Sequence, residues 1–193
     1  MSAEWVTAIA TAGTFIVIAA SAIAALMQLG HLRSSNQIAA LNECRETIQS
    51  AEFQAAERFV SVELSRRLED PQVQLAMLGR YFPPEFECVR TIANFFENMG
   101  VFVKNGIIDR RIACDLWNQV ILRNWSALAP VIANRRIALD FPPMWENFEY
   151  LAALCQQWEE RYQDGTYPNG APRMQMPALW PLTQERVGAN AER

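Results

Sequence analysis

From Trp5 to Gly30 the chain runs for 26 residues without an aspartate, glutamate, lysine or arginine. A helix needs about 20 mainly apolar residues to cross the hydrocarbon core of a bilayer, so this run is long enough to span it with some tilt. Trp5 suits an interfacial anchor at its start. A cleaved secretory leader would require basic residues ahead of the apolar run. The chain opens instead with Met1-Ser2-Ala3-Glu4, and the small residues around Ala20–Ala25 only resemble a cleavage site. Glu4 precedes the run, while His31, Arg33 and Arg45 follow it. Excess positive charge stays on the cytoplasmic side, which predicts an outside N-terminus and a cytoplasmic domain after the span.

The polar residues inside the run are not scattered. Thr7, Thr11, Thr14, Ile18, Ser21, Ala25 and Gln28 follow one another at spacings of 4, 3, 4, 3, 4 and 3. That is a heptad seam, and it gathers every hydroxyl and the one amide of the segment. Small and hydroxyl side chains let membrane helices approach closely and hydrogen-bond across the contact. The expectation is therefore that Thr7, Thr11, Thr14, Ser21 and Gln28 face protein, either other subunits or copies of the same chain. Two alternatives stay open. The hydroxyls can bond back to carbonyls four residues earlier and face lipid, or the seam can line a pore.

Beyond Gly30 the pattern remains helical. Leu32, Ile38, Leu41 and Ile48 continue the first helix among polar residues. Phe53, Ala56, Val60 and Leu64 repeat at helical period. Asp70-Pro71 reads as an N-cap followed by proline at the first helical position. "YFPPEF" is a break, after which Phe86, Val89, Ala93, Phe96, Gly100 and Val103 form the most apolar stripe of the chain, ended by Asn105-Gly106. Asp109 caps a helix carrying Ile112, Leu116, Val120 and Ile121, and Pro130 is expected to interrupt it and start another running to Leu139. "DFPP" breaks the chain again before Trp145, Phe148, Ala152, Cys155, Trp158 and Tyr162. No segment alternates with period two. The chain has 193 residues and is 51% hydrophobic, ample for one core. The expected fold class is all-α: one transmembrane anchor (1–30), a bundle of about five to six helices (31–163), and a Pro/Gly-rich extended tail (164–193). Met174, Met176, Leu179 and Trp180 are the tail residues suited to docking on a partner.

Much chemistry is excluded. The single histidine, His31, sits at the membrane boundary, away from any cleft that histidine-dependent nucleophilic catalysis would need. No phosphate-binding or dinucleotide-binding glycine motif occurs, so no cofactor is expected. The formal net charge of −4 gives no nucleic-acid footprint. Cys44, Cys88, Cys114 and Cys155 are too far apart in sequence for a zinc or Cys-x-x-Cys motif and read as reduced core thiols. Among the carboxylates, Glu97 lies beside the most apolar stripe. A buried carboxylate is normally paired, and a structural ion pair with Arg135 is expected; a general acid or base with a raised pKa is the rival role. Arg135-Arg136 and Arg66-Arg67 fall near helix C-termini, where solvated cations suit the helix dipole. Trp117, Trp125, Trp145 and Trp158 fall within helical patterns and are expected in the core, with a ligand-stacking box as the alternative.

Three stretches, "FFENMGVFVKNGIIDRRIACDLWNQVILRNW", "PVIANRR" and "WENFEYLAAL", resemble a widespread bacterial family known only as a domain of unknown function. The matching elements are the Asn94/Glu97 helix, the Gly106–Asp109 turn, Trp117, Trp125, and Pro130 with Arg135, over roughly Leu32 to Tyr162. The resemblance implies one N-terminal membrane helix and a cytoplasmic helical domain, and carries no catalytic residues. The layout is also similar to membrane-anchored helical accessory proteins of bacterial antiviral systems, some of which form rings, although the Arg-x4-6-His ribonuclease motif is missing here. The sequence therefore points to a non-enzymatic, single-pass subunit of a membrane complex in the bacterial inner membrane. The alternatives are a self-assembling ring or pore effector and a membrane-tethered enzyme using carboxylates.

Overall fold

A computed structural model describes residues 3–175, with the backbone alone for residues 4–10 and 33. Among these residues every regular element is helical. The first, α1, is one unbroken helix from Ala3 to Gln49, 47 residues, or about 70 Å at 1.5 Å per residue. No break marks the expected anchor boundary at Gly30. Instead the surroundings change along one rod. Phe15 and Leu26 are 72% and 69% exposed, whereas Ala40 and Cys44 are buried in the core. Ser50 ends α1 and caps the next helix, its Oγ accepting from the Phe53 N–H at 3.2 Å.

The second rod joins α2 (Ala51–Arg58), a π-helical turn (Phe59–Glu63) and α3 (Leu64–Arg67). The wider turn, with its i→i+5 bonding, keeps Val60 and Leu64 on the buried face. Asp70 caps α4 (Pro71–Met77) by accepting from the Gln72 N–H at 2.8 Å, with Pro71 at the first helical position as the sequence predicts. After "YFPP", a short 3-10 turn (Pro84–Phe86) leads into α5 (Glu87–Lys104), where the whole predicted stripe of Phe86, Val89, Ala93, Phe96, Gly100 and Val103 is buried. Gly106 follows with φ 67°, a left-handed value natural to glycine. Asp109 then caps α6 through the Arg111 and Ile112 N–H groups.

Two expectations fail in α6. It runs unbroken from Arg110 to Ala138, with Pro130 inside it. A proline in a helix interior is unfavourable by about 3 kcal/mol. Burial of Leu128, Val131, Ile132 and Arg135 on either side of it outweighs that penalty. The buried face is also displaced: Ile112 and Leu116 are exposed, and the core takes Ala113, Cys114, Trp117, Ile121, Asn124 and Leu128. The last helix, α7 (Glu146–Arg161), packs against both α5 and α6, and α2 packs on α5. Counting α2 to α3 as one, the described residues form six rods. Aromatic rings join them: Phe96 stacks on Phe148 at 4.9 Å, Trp125 meets Phe148 edge-on at 5.1 Å, and Phe53 meets Phe95 at 4.8 Å. Such pairs add to area burial by about 0.5–1.5 kcal/mol each.

One compact unit ends at Gln163, and a second begins at Asp164. The described part of the second is irregular, with Gly165 and Gly170 at φ 83° and 81°. Tyr167 Oη donates to the Pro172 carbonyl at 2.8 Å, and the Arg173 guanidinium lies 4.5 Å over the Tyr167 ring.

Candidate functional site

Two places carry the residues singled out from the sequence. The first is the exposed stretch of α1. Thr7, Thr11, Thr14, Ser21 and Gln28 all lie on this single helix, and Thr11, Thr14, Ser21 and Gln28 have exposed side chains. Ser21 Oγ donates to the Val17 carbonyl at 2.8 Å, the local back-bond expected of a hydroxyl in a long helix. That bond satisfies the donor and leaves the oxygen lone pairs available to a neighbour. Apart from that seam the stretch is apolar: its most apolar 18-residue window has a mean hydropathy of 2.0 and none of it is buried. The chain thus holds one N-terminal helix long and apolar enough to cross a membrane. Of the tail residues, Met174 is 84% exposed, and Met176, Leu179 and Trp180 lie outside the described residues.

The second place is the junction of α5 with the start of α7. The expected Glu97–Arg135 ion pair is not built there. Glu97 Oε2 accepts from the backbone N–H groups of Asn147 and Phe148 at 3.0 and 2.9 Å, and Oε1 accepts from Asn147 Nδ2 at 2.6 Å. Those N–H groups belong to the first turn of α7, where an intrahelical acceptor does not exist. The residue at the N-cap, Trp145, has a left-handed backbone (φ 53°) and offers no side-chain cap. Glu97 supplies the cap from another helix, and its negative charge faces the positive end of the α7 dipole. Neighbouring α5 positions complete the seat. Asn94 Oδ1 accepts from Trp145 Nε1 at 2.9 Å, and Lys104 Nζ donates to Asn147 Oδ1 at 3.2 Å. A Cβ added at Gly100 would lie 2.1 Å from the Asn147 carbonyl oxygen, so only glycine permits this approach.

Arg135 takes a different role. It is buried on α6 and donates through Nη1 to the carbonyls of Met77 and Gly79, and through Nη2 to that of Arg80. Met77 ends α4, and Gly79 and Arg80 lie in the turn after it, so the cation, itself on the last turn of α6, serves the negative end of α4. Its guanidinium lies 4.1 Å over the Phe82 ring, and Phe82 stacks with Trp145. Burial lowers the guanidinium pKa from its ordinary value. The expected solvated capping role holds only in kind: Arg135 is a cation at a helix C-terminus, but in the interior and in trans. Its neighbour Arg136 is the one that pairs, with Glu149 at 2.6 Å.

This junction ties α7 to α5 and α6. Glu97 has each oxygen engaged by helix α7, and Arg135 is packed against carbonyls and rings. A groove of about 400 Å³ beside it, lined by Ser65, Gln74, Met77, Ser126, Pro130 and Asn134 among others, has no ionisable side chain in its wall. Among the described residues no three histidine, cysteine or acidic side chains converge as metal ligands. The sequence reading missed Asn147 and Phe148 as partners of Glu97, and Gly100 as the point where the Asn147 backbone approaches α5. The available signal was a glycine in the middle of a strongly apolar helix, where it is unfavourable unless another backbone comes close.

No curated protein and no solved structure matches the chain. A family model does match it, over residues 15–158. The match begins inside the apolar stretch of α1, upstream of the Leu32 start expected from the resemblance, and it includes Asn94, Glu97, Gly100, Arg135 and Asn147. The chain belongs to this family, DUF4760, a domain of unknown function.

Proposed function

We propose that the protein is a non-enzymatic, single-pass subunit of a membrane complex. In this reading α1 anchors it in the cytoplasmic membrane of a bacterium, with the N-terminus outside and the bundle in the cytoplasm. The seam of Thr7, Thr11, Thr14, Ser21 and Gln28 contacts other subunits or further copies of the chain, and the tail from Asp164 lies on a partner. The observation that carries the reading is the division within α1. Its first half is apolar apart from the seam and is unburied, while Ala40 and Cys44 in the same helix are locked into the core. An apolar helix that no described residue of its own chain covers calls for lipid or further protein. The commitment of Glu97 to capping supports a structural role over acid-base work.

The test is purification of the full chain from membranes in mild detergent, with the mass of the particle measured by native mass spectrometry. A fixed hetero-complex supports the proposal. A homo-oligomer of six or more copies favours a ring or pore effector instead, and a monomer removes the association claim. Orientation is tested separately with Ala3→Cys and Asn190→Cys and an impermeant thiol reagent on intact cells. Labelling at position 190 alone would reverse it.

A further inference from the structure

Cys114 on α6 and Cys155 on α7 are 41 residues apart in sequence, yet their sulfurs are 3.7 Å apart, with Cys155 Sγ–H donating to Cys114 Sγ. Both are buried free thiols. A disulfide has an S–S distance of about 2.05 Å, so closing the bond requires the sulfurs to approach by about 1.6 Å. Cys155 is fully buried, and Cys114 is the member of the pair that borders open space. Cys114 forms part of the wall of a cleft of about 140 Å³, together with Arg110, Arg111 and Arg161 and the rings of Trp158 and Tyr162. That is room for several molecules of water size, and hydrogen peroxide is little larger.

The surroundings also distinguish the two sulfurs. The hydrogen bond from Cys155 lowers the Cys114 thiol pKa, burial opposes this, the Arg110 charge adds to the lowering and the Asp109 charge works against it. Cys155 is raised well above the thiol range by holding that bond and by burial. A sulfur favoured as thiolate, beside one that keeps its proton, suits the one to attack and the other to resolve.

We propose that Cys114 and Cys155 form a redox-active dithiol, oxidised by small peroxides to a disulfide between α6 and α7 and restored by small thiols. The Cys114 thiolate attacks one peroxide oxygen, the O–O bond breaks, and the departing hydroxide takes up a proton to leave as water. Cys114 is then a sulfenic acid. Cys155 sulfur attacks the Cys114 sulfur, the S–O bond breaks, and the Cys155 proton leaves with the hydroxyl as a second water. Two thiols are oxidised and one peroxide is reduced to two waters. Reduction by two equivalents of a small thiol runs through a mixed disulfide and returns both thiols. This inference is independent of the membrane-subunit reading.

The experiment uses the full chain, reduced, freed of reductant and kept native in detergent. It is treated with hydrogen peroxide, then unfolded, alkylated and mapped by peptide mass spectrometry. Cys44 is the control for burial alone, and half-buried Cys88 the control for access. The expected result is loss of Cys114 and Cys155 at matching rates, roughly tenfold faster than Cys44, as one cross-linked peptide that dithiothreitol separates. In Cys155→Ser, dimedone should trap a sulfenic acid at Cys114. Full alkylation of Cys114 and Cys155 after Cys88 has been consumed would overturn the proposal, as would their loss without a cross-link. Should Cys155→Ser fail to fold, the native-chain map decides alone.

Discussion

The first half of α1 and the whole of α5 are both apolar helices, yet they are built for different partners. In α5 the stripe of Val89, Ile92, Ala93, Phe96, Met99 and Val103 is buried, Phe95 and Phe102 are half-buried beside it, and the polar Asn94, Glu97 and Lys104 are each hydrogen-bonded to the start of α7 or the residue that precedes it. In α1, large apolar side chains project in every direction, from Phe15 at 72% exposed to Leu29 at 62%, and Ser21 bonds only within its own helix. The described residues cover most of the apolar side of α5, and they leave the first half of α1 uncovered. The glycines show the same contrast. Gly100 meets the Asn147 backbone at once, whereas a Cβ at Gly13 or Gly30 would meet nothing within 4 Å.

One substitution made in both regions should therefore have opposite outcomes, and it is the largest effect expected. Gly100→Ala should destabilise the bundle by about 2–3 kcal/mol, because the Asn147 backbone must move and the Glu97 cap moves with it. Gly13→Ala and Gly30→Ala should leave bundle unfolding unchanged. Thermal unfolding of the three variants reads the difference. A tolerant Gly100→Ala would mean that α5 and α7 are not so closely packed.

The cap comes next. Glu97→Ala removes every acceptor at the start of α7 and should lower stability by about 2 kcal/mol. Glu97→Gln retains one acceptor oxygen and should lower it by about 1 kcal/mol. Denaturant titration of the two variants orders them. Equal losses would mean that the charge facing the helix end contributes more than the hydrogen bonds.

On the outer face of α6, Leu116→Gln should change stability by less than about 0.5 kcal/mol, since the side chain is 59% exposed. A larger loss would return Leu116 to the core, where the periodicity first suggested it. Replacing Thr11 and Thr14 together by leucine should change bundle unfolding least of all and still abolish assembly, because larger side chains hold neighbouring helices apart. The same leucines placed off the seam, Ala12→Leu with Phe15→Leu, are the control. Assembly of both variants in detergent like the native chain would show that the seam faces lipid.

What the sequence disclosed follows from the range of each signal. The caps at Asp70 and Asp109, the stop at Asn105-Gly106 and the α5 stripe are local, and they stand where the pattern puts them. The α6 face was misread because its buried side includes Asn124 and Arg135, which a search for apolar residues discards. Asn124 is half satisfied there: its Nδ2 donates to the Val120 carbonyl at 2.8 Å, while its Oδ1 is buried without a partner among the described residues. Pro130 was misread because local rules omit the packing on either side of it. Glu97 drew notice as a carboxylate on an apolar helix, but its partners lie 50 and 51 residues away in sequence. No periodicity carries information over that distance. The Cys114–Cys155 contact escaped for the same reason.

The central claim is that the exposed half of α1 lies in a bilayer, and alkaline washing of membranes from cells making the full chain tests it most directly. High pH strips proteins held at the membrane surface and leaves those that span it. The account predicts that the protein stays in the membrane pellet through the wash and is released only by detergent. Recovery of the intact chain in the alkaline supernatant would contradict it.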